Sequence, residues 1–195
     1  MGGQTDASHQ RFRTGHTDRN LGDNRDGPTV TIANDPSDLR PGERTLKTGF
    51  VLSDGMGLAI IGQIRSPWSN GNCPKNLREA RARGGPFAVE IAPAYREGML
   101  GLSVGDPVVL LYWMSGARRD LIVQAPAHRD CPTGTFALRS PARPNPVALA
   151  VVRLLSVDPA SGVLQIDAID AFDGTPVLDI KPWLASVDVP PDLQG

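Results

Sequence analysis

Turn-forming residues restrict this chain to short secondary-structure elements. The sequence contains 21 glycines and 18 prolines among 195 residues, about a fifth of the chain and well above ordinary usage. The apolar runs between them have strand length, and Val108–Trp113 and Val147–Val157 are the most continuous. With 40% hydrophobic residues, the chain can bury one core. The sequence therefore predicts an all-β, single-domain protein with short helical turns.

The pattern of polar and apolar segments predicts three regions. Residues 1–48 are polar and show no helical or strand period, which favours a disordered or loosely attached N-terminal extension. Residues 49–188 form the predicted domain, and residues 189–195 form a short tail. Asn76 is a good cap for a short helix that follows it. The predicted strands are Gly49–Arg65, Phe87–Ile91, Val108–Trp113, Leu121–Gln124, Val147–Val157, Gly162–Ile169 and Pro176–Ile180, with a further short strand at Thr29–Ala33.

Composition indicates a soluble cytoplasmic protein without a metal. The N-terminus has no apolar core of the secretory type, and no apolar run approaches the length that spans a membrane. Cys73 and Cys131 are the two cysteines, which suits a reducing compartment and leaves open whether they pair. His128 and Cys131 lie close in sequence, but two ligands without a second pair predict no metal site.

Charge is distributed unevenly along a chain whose net charge is −1. Residues 70–155 carry 11 basic and 6 acidic side chains, whereas residues 156–195 carry 1 and 7. A basic central segment can attract a phosphate backbone, and a mixed solvated surface explains the same numbers equally well.

The stretch Phe136–Leu149 combines two arginines with three prolines. Proline fixes its own φ and favours extended conformations in the preceding residue, so Ser140-Pro141 and Arg143-Pro144-Asn145-Pro146 predict a rigid connection. Rigidly placed guanidinium groups suit the recognition of an anion or a nucleotide. A stiff edge loop with solvated arginines is the structural alternative.

Several motifs occur together with this stretch and in a fixed order. They are IGQIRSPW at Ile61–Trp68, CPKN at Cys73–Asn76, LLYWM at Leu110–Met114 and DAFDGTPVLDIKPW at Asp170–Trp183. Together they closely resemble the TsaA-like family, also called the YaeB or TrmO family. The resemblance implies a small β-barrel that binds S-adenosylmethionine and works as a homodimer. It also implies N6-methylation of threonylcarbamoyladenosine next to the anticodon of a tRNA.

The resemblance also implies the residues of the cofactor site. Asp170 is the candidate catalytic residue because it is the matched carboxylate, and Arg139 could pair bidentately with a carboxylate of the cofactor. Asp173 keeps a structural role in a turn. The cofactor-binding residues implied by the family motifs are Leu77, Ser115, Gly116, Arg139, Leu149, Asp167, Ala168, Ile169 and Asp170.

Candidate RNA contacts come from polar side chains near these motifs, and solvated surface is the alternative for each of them. Tyr112 and Trp113, at the end of the strand of residues 108–113, fit core packing as well as stacking on the cofactor. The candidate RNA-binding residues are Lys75, Arg118, Arg119, Arg143 and Asn145.

The chain departs from the family pattern on the substrate side. Val104–Pro107 replaces a Phe-Ser-His segment, Met114 and Ser115 stand where a histidine is usual, and Ala148 replaces a glycine. The C-terminal domain of longer family members has no counterpart here. Two alternatives to the tRNA methyltransferase therefore stay open: a methyltransferase for another RNA or a small molecule, and a non-catalytic S-adenosylmethionine-binding module.

Overall fold

The structure is a computed structural model that describes residues 39–45 and 57–191. It is mostly β-sheet with short helices, which confirms the predicted class. The helices are α1 (Leu77–Arg83) and α2 (Ala185–Asp188), with 3₁₀ turns at Pro93–Met99 and Thr135–Ala137. The strands are β1 (Arg44–Thr45), β2 (Gly62–Arg65), β3 (Ala88–Ile91), β4 (Pro107–Trp113), β5 (Leu121–Gln124), β6 (Thr133–Gly134), β7 (Val147–Asp158), β8 (Val163–Ile166) and β9 (Pro176–Pro182).

Six strands close into a ring in the order β2-β3-β8-β7-β4-β9, with β9 returning to β2. Every pairing in the ring is antiparallel. Closure gives hydrogen-bond partners to backbone N–H and C=O groups that would be unpaired at the edges of an open sheet. Strands β1, β5 and β6 form a separate three-stranded sheet.

Strand β4 is paired on both of its edges. It pairs with β7 along its whole length, from Pro107 opposite Arg153 to Trp113 opposite Val147, and its other edge pairs with β9. The side chains of Val108 and Leu110 are fully buried, as the continuous apolar run at residues 108–113 predicts. They join inward-facing side chains of the other strands in one core.

Gly62 stands where the ring closes. It lies opposite Ile91 of β3 and Val177 of β9, so two backbones flank it. A Cβ at this position would lie 2.3 Å from the carbonyl oxygen of Glu90. The absence of a side chain therefore lets β2 lie close enough to β3 to connect both neighbours.

The first predicted strand is much longer than the observed one. β2 begins at Gly62, although the pattern predicted a strand from Gly49 to Arg65. Its partner β3 ends at Ile91, and Pro93 then starts a 3₁₀ turn, so no neighbouring strand remains to pair with. Residues 46–56, and the predicted strand at Thr29–Ala33, lie outside the described residues.

The last predicted strands agree better with the structure. The predicted hairpin between residues 147–157 and 162–169 is confirmed as β7 and β8. Strand β8 ends at Ile166, three residues earlier than predicted. The chain leaves the sheet after this residue, and the indole N–H of Trp68 donates to the carbonyl of Ile169 at 2.7 Å.

Part of the predicted N-terminal extension pairs with the rest of the protein. Strand β1 lies antiparallel to β5, with Arg44 opposite Val123. Just before this strand, the Glu43 carboxylate accepts hydrogen bonds from the backbone and side chain of Arg40. Residues 1–38 lie outside the described residues.

Helix α1 begins at the predicted cap. The Asn76 side chain accepts a hydrogen bond from the backbone N–H of Glu79 at 2.9 Å. Arg81 then fastens the helix to the ring, because its Nε donates to the Asp167 carboxylate at 2.6 Å and its Nη2 donates to the Val151 carbonyl at 2.9 Å. The helix therefore holds Leu77 against the core at a constant position.

We predict that Gly62→Ala destabilises the protein by about 1–3 kcal/mol, because the new methyl group must displace the backbone of β3. Gly98→Ala is the matched control, since a Cβ there meets no atom within 4 Å. Urea denaturation gives both free energies of unfolding. Equal values for the two variants would contradict the tight closure at Gly62.

We predict that Arg81→Ala loosens α1 more than it lowers global stability. The pair with Asp167 is half-exposed, so its loss costs about 1 kcal/mol or less, but helix α1 loses its link to β7. Hydrogen exchange of the α1 amides should accelerate in this variant. Arg78→Ala removes an exposed arginine of the same helix and should leave the exchange rates unchanged; equal acceleration in both variants would contradict the proposed link.

Candidate functional site

Several of the predicted site residues lie where strand β4 ends and strand β7 begins. Trp113 ends β4 and lies opposite Val147, which starts β7. The proline-rich stretch passes this end, and the backbone N–H of Met114 donates to the Pro146 carbonyl at 2.9 Å. The end of the predicted buried strand and the predicted rigid segment are therefore neighbours.

Arg143 organises the proline-rich stretch from within. Its guanidinium donates to the carbonyl oxygens of Ser140 at 3.0 Å and Thr135 at 3.1 Å, and also to that of Leu138. These three bonds keep the segment in one conformation. The contact of Arg143 with RNA stays a prediction, and the observed geometry uses this guanidinium inside the protein.

Two further predicted RNA-binding arginines are also engaged in the protein. The Nε of Arg119 donates to the Pro144 carbonyl at 2.8 Å, and its guanidinium lies 5.1 Å from the centre of the Trp113 ring. Arg118 forms an ion pair with Asp120 at 2.8 Å. Lys75, by contrast, has an exposed side chain. Of these candidates, Lys75 is best placed to meet a phosphate.

Asn145 takes part in the same loop. Its side-chain oxygen lies 3.5 Å from Nη2 of Arg119, and its backbone carbonyl accepts a hydrogen bond from Val147 at 2.8 Å. Ser115 and Gly116 are exposed after the end of β4, and a Cβ at Gly116 would meet no atom within 4 Å. These exposed backbone groups leave room for a ligand beside the loop.

Tyr112 holds Asp170. The tyrosine side chain is 4% exposed, and its hydroxyl donates to Oδ1 of Asp170 at 3.2 Å. Burial, together with the nearby Asp170 carboxylate, raises the pKa of the Tyr112 hydroxyl. The hydroxyl therefore stays protonated and acts as a donor at neutral pH.

Cys73 and Arg139 complete this group. Burial and the charge of Asp170 raise the pKa of the Cys73 thiol, which Arg83 opposes. Cys73 and Arg139 also act electrostatically on the Tyr112 hydroxyl, with Arg139 lowering its pKa. Arg139 is near this tyrosine in the sheet as well, because it binds the carbonyl of Leu149, which lies opposite Leu111, the residue before Tyr112.

Arg139 bridges the two ends of the proline-rich stretch. Its Nη2 donates to the carbonyl of Leu149 at 3.1 Å. Both residues are exposed, with Leu149 at 44%. Among the described residues, the Leu149 carbonyl is the acceptor that Arg139 binds, and the Leu149 side chain offers an apolar surface next to the guanidinium.

The run before the last turn contributes mainly backbone groups. The side chains of Ala168 and Ile169 are fully buried in the core. The Asp167 carboxylate accepts hydrogen bonds from Arg81 and from the backbone N–H of Arg153, at 2.6 and 2.8 Å. Asp170 is therefore the member of this run whose side chain is left to face a ligand.

Asp173 lies in the turn at the start of β9. Its carboxylate accepts a hydrogen bond from the backbone N–H of Ser66 at 3.2 Å and lies 3.5 Å from Arg65. This agrees with the structural role expected from its position before Gly174.

Sequence reasoning underestimated Tyr112, for which packing and stacking were equal alternatives. A signal for its role was available, because Tyr112 alternates with Val108 and Leu110 on the inward face of a buried strand. A buried tyrosine hydroxyl usually has a hydrogen-bond partner, and the matched aspartate was the candidate acceptor.

Two surface cavities lie away from this group. One has a volume of about 660 Å³ and is lined by Gln63, Glu90 and Arg96, among others. The other, of about 480 Å³, is lined by residues that include Phe87 and Asp173. Neither contains a predicted cofactor residue. The group around Tyr112 lies at the surface of the protein, since Ser115, Gly116, Arg139 and Leu149 are exposed.

Metal ligands, cysteines and membrane-spanning helices were considered next within the residues that the structure describes. Residues 39–45 and 57–191 contain no cluster of three or more potential metal ligands. Both cysteines are free. No helix within the same ranges combines the length and apolarity needed to cross a membrane.

Comparison with known proteins was made by sequence and by structure. A family model described as tRNA-methyltransferase O N-terminal domain matches residues 63–189. A probable S-adenosyl-L-methionine-binding protein of Archaeoglobus fulgidus is 39% identical over 131 residues, which cover 67% of this chain and 35% of that protein. A tRNA (adenine(37)-N6)-methyltransferase of Mus musculus is 44% identical over 71 residues, 36% of this chain and 16% of that protein.

A solved structure shows the same fold. The crystal structure of TrmO from Pseudomonas aeruginosa is 30% identical, with a TM-score of 0.54, and the match covers 70% of this chain and 60% of that one. The chain spans less than two thirds of the length of each of these three proteins. The resemblance identified from the motifs is confirmed, and the chain belongs to the tRNA-methyltransferase O N-terminal domain family.

Proposed function

We propose that this protein is an S-adenosylmethionine-dependent methyltransferase that acts on tRNA. The finer proposal is N6-methylation of threonylcarbamoyladenosine next to the anticodon. The observation that carries it is the pair of polar contacts at the end of β4, in a chain of this family: the Tyr112 hydroxyl binds Asp170, and Arg139 binds the carbonyl of Leu149, which lies opposite Leu111. Its relatives include proteins named for S-adenosyl-L-methionine binding and for tRNA adenine methylation.

The chemistry of the site fits the methyl donor. The guanidinium of Arg139 suits a carboxylate, and Asp170 supplies a negative charge. Leu149 and Leu77 provide apolar surface for a base. The backbone of Ser115 and Gly116 and of the run 167–169 supplies polar groups at the edge of the same site. This is the mixture of apolar walls and few directed polar groups that a nucleoside-sized ligand needs.

The chain contributes orientation and charge to the reaction. When bound, S-adenosylmethionine supplies a methyl group on a cationic sulfur, which becomes a neutral thioether as the methyl group leaves. Asp170 is the proposed acceptor for the proton that the target nitrogen must lose. Arg139 and the rigid stretch around it hold the reactants at attack distance, which supplies most of the rate enhancement.

The RNA would approach from the side of Lys75. This lysine is exposed next to Cys73, whose thiol lies within electrostatic range of Asp170. Phosphate contacts of this kind position a nucleic acid without reading its sequence. Lys75 is therefore the main proposed phosphate contact, whereas Arg118, Arg119 and Arg143 shape the protein surface.

A homodimer is part of the proposal. Phe136, Val147 and Leu149 are 83%, 37% and 44% exposed beside Arg139. Neighbouring exposed apolar side chains of this kind are typical of an interaction surface, and a second copy placed there would cover the site. Free cysteines are consistent with the proposed cytoplasmic location.

A binding module without catalysis is the second candidate. Met114 and Ser115 occupy the place of a family histidine, and the relative from Archaeoglobus fulgidus is named only for S-adenosyl-L-methionine binding. Transfer assays separate the two candidates, because a module of this kind binds the cofactor and leaves tRNA unmethylated.

We predict that Arg139→Ala weakens S-adenosylmethionine binding about tenfold or more, since a charge-assisted hydrogen bond contributes about 1.5–3 kcal/mol. Arg129→Ala, in an exposed loop, is the control. Calorimetry measures the affinity, and transfer of a labelled methyl group to bulk tRNA measures activity. Wild-type protein that bound no S-adenosylmethionine would sink the proposed function. Binding without transfer to tRNA would favour the second candidate.

We predict that Lys75→Ala reduces the salt dependence of tRNA binding. Loss of one phosphate contact should lower the slope of log K against log salt by roughly 0.7–0.9. Lys181→Ala is the matched control, because Lys181 pairs with Asp179 at 2.6 Å near the far end of β9. Titrations at several salt concentrations give both slopes. Identical slopes for Lys75→Ala and wild type would contradict the proposed contact.

A further inference from the structure

Asp170 differs from its neighbouring aspartates in the partner of its carboxylate. Its carboxylate is only partly buried, and the hydrogen bond to it comes from the neutral hydroxyl of Tyr112 at 3.2 Å. No lysine, arginine or histidine within residues 39–45 and 57–191 forms an ion pair with it. The two neighbouring aspartates differ, since Asp167 pairs with Arg81 and Asp173 pairs with Arg65.

The position of this carboxylate is set by the ring. Tyr112 lies at an irregularity in the pairing of β4 with β9, where Leu111 is opposite Asp179 but Tyr112 is opposite Val177. The extra residue, Leu178, forms a bulge in β9. Bulges of this kind redirect side chains next to functional sites. The hydroxyl of Tyr112, which lies beside this bulge, donates to Oδ1 of Asp170.

A held carboxylate without an ion-pair partner attracts a cation more than a neutral ligand. Two opposite charges in contact attract more strongly at a protein surface than in bulk water, because the effective dielectric constant there is lower. A hydroxyl donor fixes the direction of the carboxylate and leaves its net charge in place. The nearby Cys73 adds no charge, because its thiol is protonated at neutral pH when its pKa is raised.

We propose that Asp170, positioned by Tyr112, reads the positive charge of the methyl donor and so distinguishes S-adenosylmethionine from its neutral product, S-adenosylhomocysteine. This inference rests on the proposed function. The sulfur loses its charge as the methyl group leaves, and Asp170 loses its own when it accepts the proton of the target nitrogen. The attraction therefore ends after transfer, which favours release of the spent molecule. Tyr112 acts in this role as a positioning residue, because its hydroxyl reaches the ligand only through Asp170.

Calorimetry with S-adenosylmethionine and with S-adenosylhomocysteine tests this role without an activity assay. Asp170→Asn should weaken binding of the charged donor about fivefold to tenfold and change binding of the neutral product less than twofold. Asp173→Asn is the matched control, since it removes a nearby carboxylate that already has a partner, and it should leave the ratio of the two affinities unchanged. An Asp170→Asn variant that kept the wild-type ratio would overturn the inference while the proposed function stood.

A double-mutant cycle separates positioning from packing. Tyr112→Phe removes the hydroxyl with little change in volume, and it should lower the preference for the charged donor about twofold to threefold. Tyr112→Phe combined with Asp170→Asn should match Asp170→Asn alone, because the hydroxyl acts through that carboxylate. If Tyr112→Phe lowered both affinities equally, or if the two effects were additive, Tyr112 would have a packing role only. Wild-type protein that bound neither ligand would overturn the proposed function and this inference together.

Discussion

Closure of the strand ring at Gly62 is the constraint on which the rest of the structure depends. Backbone from β3 and β9 flanks this residue on both sides, and the space between them admits no side chain. Closure leaves the six strands without a free edge and surrounds a core in which Ile64, Val89 and Leu110 are fully buried. A small protein rich in glycine and proline obtains its rigidity in this way, since its helices are too short to supply it.

The ring determines where the polar groups of the site lie. β4 is paired along both edges and the side chain of Tyr112 is buried, so its hydroxyl is held in one direction. The run before β9 is fixed in the same manner, because Ala168 and Ile169 are core residues and the Ile169 carbonyl accepts the indole N–H of Trp68. Asp170 follows these anchored residues. A carboxylate on so rigid a support keeps its orientation before any ligand arrives, which reduces the entropic cost of binding.

Sequence patterns predicted the parts of the fold that depend on local physics. The continuous apolar runs predicted β4 and β7 to within one residue, and the side chain of Asn76 predicted the start of α1. The length of the first strand could not be predicted, because β2 begins only at Gly62, opposite the residue at which its partner β3 ends before the turn at Pro93. The sequence of residues 49–65 does not show where the partner strand ends.

The same limit applies to the candidate site. Family motifs indicated Arg139 and Asp170, and their contacts with a cofactor stay predictions. Arg143 lies in the same motif, yet its guanidinium binds backbone carbonyls of its own loop, an arrangement that exists only after the chain has folded. Tyr112 was recognisable as buried, but its acceptor lies 58 residues further along the chain. Such long-range polar pairs require the register of the whole ring.

A crystal structure with S-adenosylhomocysteine bound tests the location of the site most directly. The ligand should lie between the Arg139 guanidinium and the Asp170 carboxylate, with its base against Leu149. Density instead in the cavity lined by Glu90 and Arg96, of about 660 Å³, would place the site on the opposite strands and contradict the role assigned to the group around Tyr112.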